Sequence, residues 1–194
     1  MTTNREAWPA AVVALHWAGA VVIVGLIGIG FEMRHGGLSA ASVFDLFQRH
    51  KSFGFVALAL VLARLALRLA TTAPPSRATG YERKLASAVQ AGLYALPLLV
   101  VGAGWLAASA SPIPVPTRLF GLVTIPNLTR PDAALYVAAS YVHAVAAYAI
   151  LALLAAHVAG ALKHALVNRD DTLARMWGGG GRHASAQIPR RRRL

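Results

Sequence analysis

The chain has 194 residues, of which 57% are hydrophobic and only 13% are charged. A soluble domain carries about 25% charged residues, so this composition argues against a soluble fold, and the long apolar runs predict a membrane protein. Cysteine is absent, which excludes disulfides, iron–sulfur clusters and thiolate metal sites. The net charge is +12. The distribution of the basic residues along the chain indicates that they set the orientation in the membrane and do not form a nucleic-acid binding surface.

Four apolar stretches each reach the length of about 20 residues that a bilayer crossing requires. In chain order they cover about 10–31, 50–70, 85–108 and 133–162. The first is too long for a cleavable signal peptide and lacks an A-x-A-like end, and Pro97 predicts a kink in the third. We therefore predict an all-α fold, an integral membrane four-helix bundle. The bundle domain spans 1–177, and a basic disordered tail follows over 178–194.

The basic residues predict the orientation of the bundle. All but five of the 19 Lys and Arg residues lie before the first span, from the far end of the second span to the start of the third, or after the fourth. By the positive-inside rule, both termini are then cytoplasmic. The five basic residues on the outer side are Arg34, Arg49, Lys51, Arg118 and Arg130.

Two connections lie on that outer side. The first, 34–49, is predicted to be a short loop with a turn at His35, Gly36 and Gly37. The second, 109–132, contains five prolines and the apolar stretch 119–123. Such a loop is predicted to lie along the membrane interface as a lid over the outer end of the bundle.

Four histidines lie inside the apolar stretches, where an ionisable side chain is costly and indicates function. His143 and His157 are 14 positions apart, so they lie about 21 Å apart along one helix and within about 40° of the same face. Helix direction then places His16 at the inner depth of His157. His50 correspondingly lies at the outer depth of His143. These two facing pairs predict two stacked sites.

Haem fits two facing histidines better than zinc does. A lone membrane histidine can simply bond to a neighbouring hydroxyl or carbonyl, but four that pair by depth favour a shared ligand. Zinc needs four protein ligands, or three and a water, and no carboxylate or thiolate lies at these depths. Haem iron needs only two axial ligands, and imidazole is a common one. Gly19, Gly54 and Gly160 would let a macrocycle approach the backbone.

The three remaining histidines lie outside these pairs. His35 is predicted to be a solvated loop residue, and His183 lies in the basic tail and is predicted to be uninvolved. His164, two turns beyond His157 on nearly the same face, is either an interfacial histidine or a contact for a quinone headgroup.

Short motifs along about residues 10–177 carry a resemblance to a known family. Each is weak alone, but their order and spacing together resemble the bacterial cytochrome b561 family, in particular its small four-helix members. One departure is that relatives often carry a histidine early in the third helix, where this chain has Ser87 to Gln90. The motifs are Leu15-His16-Trp17, Phe31-Glu32-Met33-Arg34, His50-x-x-x-Gly54, Arg64-Leu65-x-x-Arg68, Leu96-Pro97, Gly104-Trp105, Leu119-Phe120-Gly121, the pair His143 and His157, and Arg169-Asp170-x-Thr172.

The resemblance implies two haem b groups, ligated by His16 with His157 and by His50 with His143, in the bacterial inner membrane. Some small members of the family oxidise superoxide on the outer side and reduce ubiquinone. A basic rim formed by Arg49, Lys51 and Arg118 would steer such an anion. These side chains are alternatively ordinary interfacial residues or partners for haem propionates.

Two other functions remain open. In the first, a cytochrome b subunit exchanges electrons between quinone and a periplasmic redox protein, as hydrogenase anchors do, although the short outer loops disfavour docking. In the second, a proton channel or transporter uses the histidines without haem, although the membrane spans lack the carboxylates expected of it. The expected partners are membrane lipid, quinone, and superoxide or a periplasmic redox protein, with no nucleic acid.

Overall fold

The computed structural model describes residues 8–113 and 115–177. Four helices dominate it, and each is long and apolar enough to cross a membrane. The predicted all-α, four-helix membrane fold is therefore confirmed. The basic tail predicted over 178–194 lies outside the described residues. The helices are α1 (Ala10–His35), α2 (Ala40–Ala70), α3 (Gly80–Ala110) and α4 (Ala133–Lys163).

The second helix begins at Ala40, so the prediction of a loop over 34–49 was wrong. The Ser39 hydroxyl caps the helix by accepting a hydrogen bond from the Ser42 N–H at 3.3 Å, as Ser does at many helix starts. Polar residues interrupt the apolar pattern over the first turns. Hydropathy therefore marked only the membrane-depth part of the helix, and the true connection is a tight turn that includes Gly37 at φ +61°.

The four helices pack as two pairs, α1 with α2 and α3 with α4, and α2 also contacts α3. Small side chains are buried where α3 meets α4, among them Ala103, Ala107, Ala139 and Ala146. Small residues allow membrane helices to approach closely. Many large apolar side chains point outward instead, such as Val21 and Tyr141, at 72% and 71% exposure. This is the surface expected for a protein solvated by lipid.

A β-hairpin occupies the connection between α3 and α4. Strands β1 (Thr117–Leu119) and β2 (Val123–Ile125) pair antiparallel, and the turn places Phe120 at φ +49° and Gly121 at φ +76°. The buried Ser52 hydroxyl on α2 accepts a hydrogen bond from the Phe120 N–H at 3.0 Å. The apolar stretch 119–123, which was expected to lie along the membrane interface, therefore belongs to a hairpin that is hydrogen-bonded to α2. We call this end of the bundle the hairpin end.

The opposite end, which we call the terminal end, is closed by residues 169–177. The Arg175 guanidinium is buried and donates to the Pro75 carbonyl at 3.0 Å and to Asp171 at 3.0 Å. Asp171 also forms an ion pair with Arg77. The Trp17 indole N–H donates to the Met176 carbonyl at 2.7 Å. These contacts tie the segment to α1 and to the connection between α2 and α3.

Candidate cofactor site: two histidine pairs

The structure brings the four membrane histidines together in two pairs. The ring centres of His16 and His157 are 6.0 Å apart at the terminal end. Those of His50 and His143 are also 6.0 Å apart, at the hairpin end. These are the partners that helix direction and spacing predict. We call them the terminal pair and the hairpin pair.

The spacing of both pairs suits one metal atom between two imidazoles. A metal bonded to one nitrogen of each ring at about 2.0–2.1 Å would place the ring centres roughly 6 Å apart. Within residues 8–113 and 115–177, no three or more His, Cys, Asp or Glu side chains gather as a metal site. Each pair therefore fits a metal whose remaining ligands come from a macrocycle, as in haem.

In the hairpin pair, the backbone of α3 orients one ring. The Nδ1 atom of His143 lies 2.8 Å from the Val100 carbonyl oxygen. A carbonyl oxygen can only accept, so Nδ1 carries the hydrogen, and Nε2 keeps its lone pair for a metal if the ring is neutral. This is the arrangement that fixes the tautomer of metal-bound histidines.

Gly104 makes room for the same ring. A Cβ atom at this position would lie 2.8 Å from the His143 Nδ1 atom, a distance that real Cβ atoms do not tolerate. In the sequence, Gly104 stands out only as part of a Gly-Trp motif, which did not predict this role. The sequence feature that could have pointed to this role is the Gly104-Trp105 motif, because it lies at the depth of His143.

In each pair, one histidine ring has a buried nitrogen atom without a hydrogen-bond partner among the described residues. The Nδ1 atoms of His16 and His50 are buried, and neither has a hydrogen-bond partner within the described part of the chain. A buried polar atom without a partner is costly. Each of these nitrogens can therefore take a hydrogen-bond partner from outside the described residues. At Gly19, Gly54 and Gly160 an added Cβ would meet nothing within 4 Å.

Arg64 is a charged neighbour of the terminal pair. Its guanidinium carbon lies 5.3 Å from the centre of the Tyr94 ring on α3, and its positive charge acts on both His16 and His157. In the sequence, Arg64 and Arg68 form one Arg-Leu-x-x-Arg motif. Spacing along α2 does not reveal which of the two arginines faces the histidines.

The predicted basic rim lies at the hairpin end. Lys51 is half-buried, and its ammonium lies 3.4 Å from the Pro116 carbonyl oxygen and 5.3 Å from the Phe47 ring centre. Arg118 is exposed on β1, and its carbonyl lies 3.3 Å from the Ser52 hydroxyl. Arg49 is exposed beside His50 in the sequence.

His164 lies beyond α4 in a π-helical turn, His164–Asn168. Its Nδ1 atom is 2.6 Å from an Asp170 carboxylate oxygen, and the Thr172 N–H donates to the same carboxylate at 2.9 Å. Burial raises the pKa of Asp170, but hydrogen bonds from Thr172 and His164 outweigh it, so the pKa lies below its ordinary value. This carboxylate partner of His164 was not predicted from the sequence.

Known proteins resemble this chain along nearly its whole length. The family model described as prokaryotic cytochrome b561 matches residues 7–179. A protein of Escherichia coli strain K12 named cytochrome b561 homolog 2 is 28% identical over 185 residues, which cover 91% of this chain and 94% of that protein. The family match includes all four helices and both histidine pairs.

Proposed function

The chain belongs to the prokaryotic cytochrome b561 family, and on that premise we propose that it holds two haem b groups. Membership makes it a membrane b-type cytochrome that transfers electrons. We assign one haem to His16 and His157, and the other to His50 and His143. The observation that carries this assignment is the equal spacing of 6.0 Å between ring centres in both pairs.

The ligand set limits the chemistry. A haem held by two imidazoles would supply one-electron transfer. In the hairpin pair, Val100 and Gly104 hold the His143 ring in place. Substrates need only approach the edge of a site at one end of the bundle.

We propose superoxide as the electron donor at the hairpin end and ubiquinone as the acceptor. Two superoxide ions would each lose one electron and leave as dioxygen, and ubiquinone would take up both electrons with two protons. The support is electrostatic. Arg49, Lys51 and Arg118 lie at the hairpin end, and a positive rim raises the local concentration of a small anion and its rate of encounter.

For the acceptor, His164 at the terminal end is the candidate contact with the quinone headgroup. Its ring is half-buried beside Asp170, so it offers a polar group at the edge of an otherwise apolar helix. The protein would lie in the bacterial inner membrane with both termini in the cytoplasm and the hairpin end in the periplasm.

A second candidate function has its own supporting observation. The hairpin exposes large apolar side chains, with Leu122 at 85% and Val123 at 56% exposure. An exposed apolar patch can serve as a docking surface. The alternative is a cytochrome subunit that exchanges electrons between quinone and a periplasmic redox protein docked on this hairpin.

Haem content tests the ligand assignment. The purified protein should contain about two haems per chain, and His16→Ala and His50→Ala should each retain one, with different absorption spectra. His35→Ala, which changes a histidine outside both pairs, should retain two. A colourless wild-type protein would refute the assignment, as would loss of both haems from each single variant with the helical content preserved.

Rapid-mixing kinetics test the donor. Superoxide should reduce the wild-type haems quickly in the presence of a soluble ubiquinone, and more slowly at higher salt because ions screen steering. A variant with Arg49, Lys51 and Arg118 all changed to Gln should react about tenfold more slowly, whereas Lys84→Gln at the terminal end should match the wild type. Absence of any reaction with superoxide would favour the docked-protein alternative.

A further inference from the structure

Arg64 carries a positive charge into the bundle, and no anion balances it among residues 8–113 and 115–177. Its side chain is half-buried in α2, and its Nε atom is fully shielded with no hydrogen-bond partner inside the described ranges. Within those ranges no carboxylate lies within ion-pair distance of it, and its one contact of note is the Tyr94 ring. A buried cation of this kind is unfavourable unless an anion or acceptor joins it.

The location of Arg64 indicates the chemistry of the missing anion. Arg64 follows His50 on α2 by 14 residues, the interval that also separates His143 from His157 on α4, so it lies at the depth of the terminal pair. Its charge acts on both histidines of that pair. The anion would therefore lie at the edge of that site. Arginine binds carboxylates through two parallel hydrogen bonds, which suits a planar acid group. Haem b brings carboxylates of its own, since its porphyrin carries two propionates.

We propose that Arg64 binds a propionate of the haem held by the terminal pair and raises the reduction potential of that haem. This inference rests on the proposed function. A fixed positive charge stabilises the reduced form, which carries one positive charge less than the oxidised form. Because Arg64 lies in a helix long and apolar enough to cross a membrane, its charge acts through a medium of lower dielectric constant than water.

Arg68 provides a matched comparison. It lies one turn further along α2, and its guanidinium carbon stacks over Trp8, with 5.1 Å to the ring centre. The two arginines share a helix and a residue type, but Arg68 lies about 6 Å further along the helix axis. They also differ in their ring neighbours, which are Tyr94 for Arg64 and Trp8 for Arg68.

Redox titration of the two-haem protein tests the proposal. The wave that disappears in His16→Ala identifies the haem of the terminal pair. In Arg64→Gln that wave should move to lower potential by about a tenfold change in the reduction equilibrium, which is about 59 mV for one electron. Arg64→Lys, which keeps the charge, should shift it much less, and Arg68→Gln should leave it near its wild-type position.

Three results would overturn the proposal: an unmoved wave in Arg64→Gln, an equal shift in Arg68→Gln, or an equal shift of both waves in Arg64→Gln. If Arg64→Gln loses the haem of the terminal pair, retention of that haem in Arg64→Lys supports propionate binding, and its loss there too refutes a role for the charge. A wild-type protein with fewer than two haems would refute the proposed function instead, so the two failures are distinguishable.

Discussion

The ring of His143 has little freedom, because two neighbours on α3 lie against its Nδ1 edge. The Val100 carbonyl binds one nitrogen at 2.8 Å, and the bare backbone of Gly104 leaves the space that the ring occupies. Such contacts hold a metal ligand in its working orientation before the metal arrives. A methyl group in the wrong place is therefore enough to disturb the hairpin pair.

Substitution of Gly104 should remove one haem. In Gly104→Val the new side chain would collide with the His143 ring, so we expect the haem of the hairpin pair to be lost and that of the terminal pair to remain. The pyridine haemochrome assay should then fall from about two haems per chain to about one. Gly102→Val is the control, because an added Cβ there meets nothing within 4 Å, and it should retain two. Full haem content in Gly104→Val would contradict this role.

At the residue scale, the sequence predicted which histidines meet but not what surrounds them. The pairing of His16 with His157 follows from helix rise and direction, which are the same in every helix. The roles of Gly104 and Arg64 depend on how α2, α3 and α4 are rotated against one another. Spacing along a single helix contains no information on that rotation.

Among the elements, the segment 169–177 stands out because polar contacts hold it against an apolar bundle. Hydrogen bonds to Asp171 from Arg77 and Arg175 lower the pKa of this carboxyl from an ordinary 3.8 to about 2. The folded state thus favours the ionised form. The stabilisation is complete above pH 3.8 and is lost as the pH falls through about 2.

Asp171→Asn should therefore destabilise the protein near neutral pH and much less at pH 2. The side chain is 42% exposed, and solvent screening limits the loss to roughly 0.2–1 kcal/mol. Thermal unfolding in detergent at a series of pH values would measure the difference from wild type, which should shrink as the pH falls from 4 to 2. Asp45→Asn, at a carboxylate with no ion pair in residues 8–113 and 115–177, should differ less from wild type. If the difference in stability between Asp171→Asn and wild type stayed constant across these pH values, titration of Asp171 would be excluded as its cause.

Element boundaries show the limits of hydropathy. The four spans were predictable because membrane depth demands long apolar runs. The first turns of α2 and the hairpin were not, because both lie at the membrane surface, where apolar and polar residues mix. The hairpin in particular depends on a positive φ at Phe120, which a non-glycine residue rarely adopts.

For the whole molecule, the distribution of charge predicts one orientation. Most of the basic residues that the structure describes lie at the terminal end, and we expect this end to face the cytoplasm. Fluorescent-protein and alkaline-phosphatase fusions at the C-terminus should give fluorescence and no phosphatase activity. Phosphatase inserted at Gly121 in the hairpin should be active. The reverse pattern would move the superoxide-facing end to the cytoplasm and contradict the proposed donor.

The placement of His143 and His157 on one unbroken helix also constrains how the sequence can change over time. With both proposed sites anchored on α4, one residue gained or lost between these positions would rotate one ring by about 100° relative to the other. Insertions and deletions are therefore excluded from that interval. The loops on either side of the hairpin can vary in length. We expect distant homologues to differ in their surface loops and to keep the interval of 14 residues unchanged.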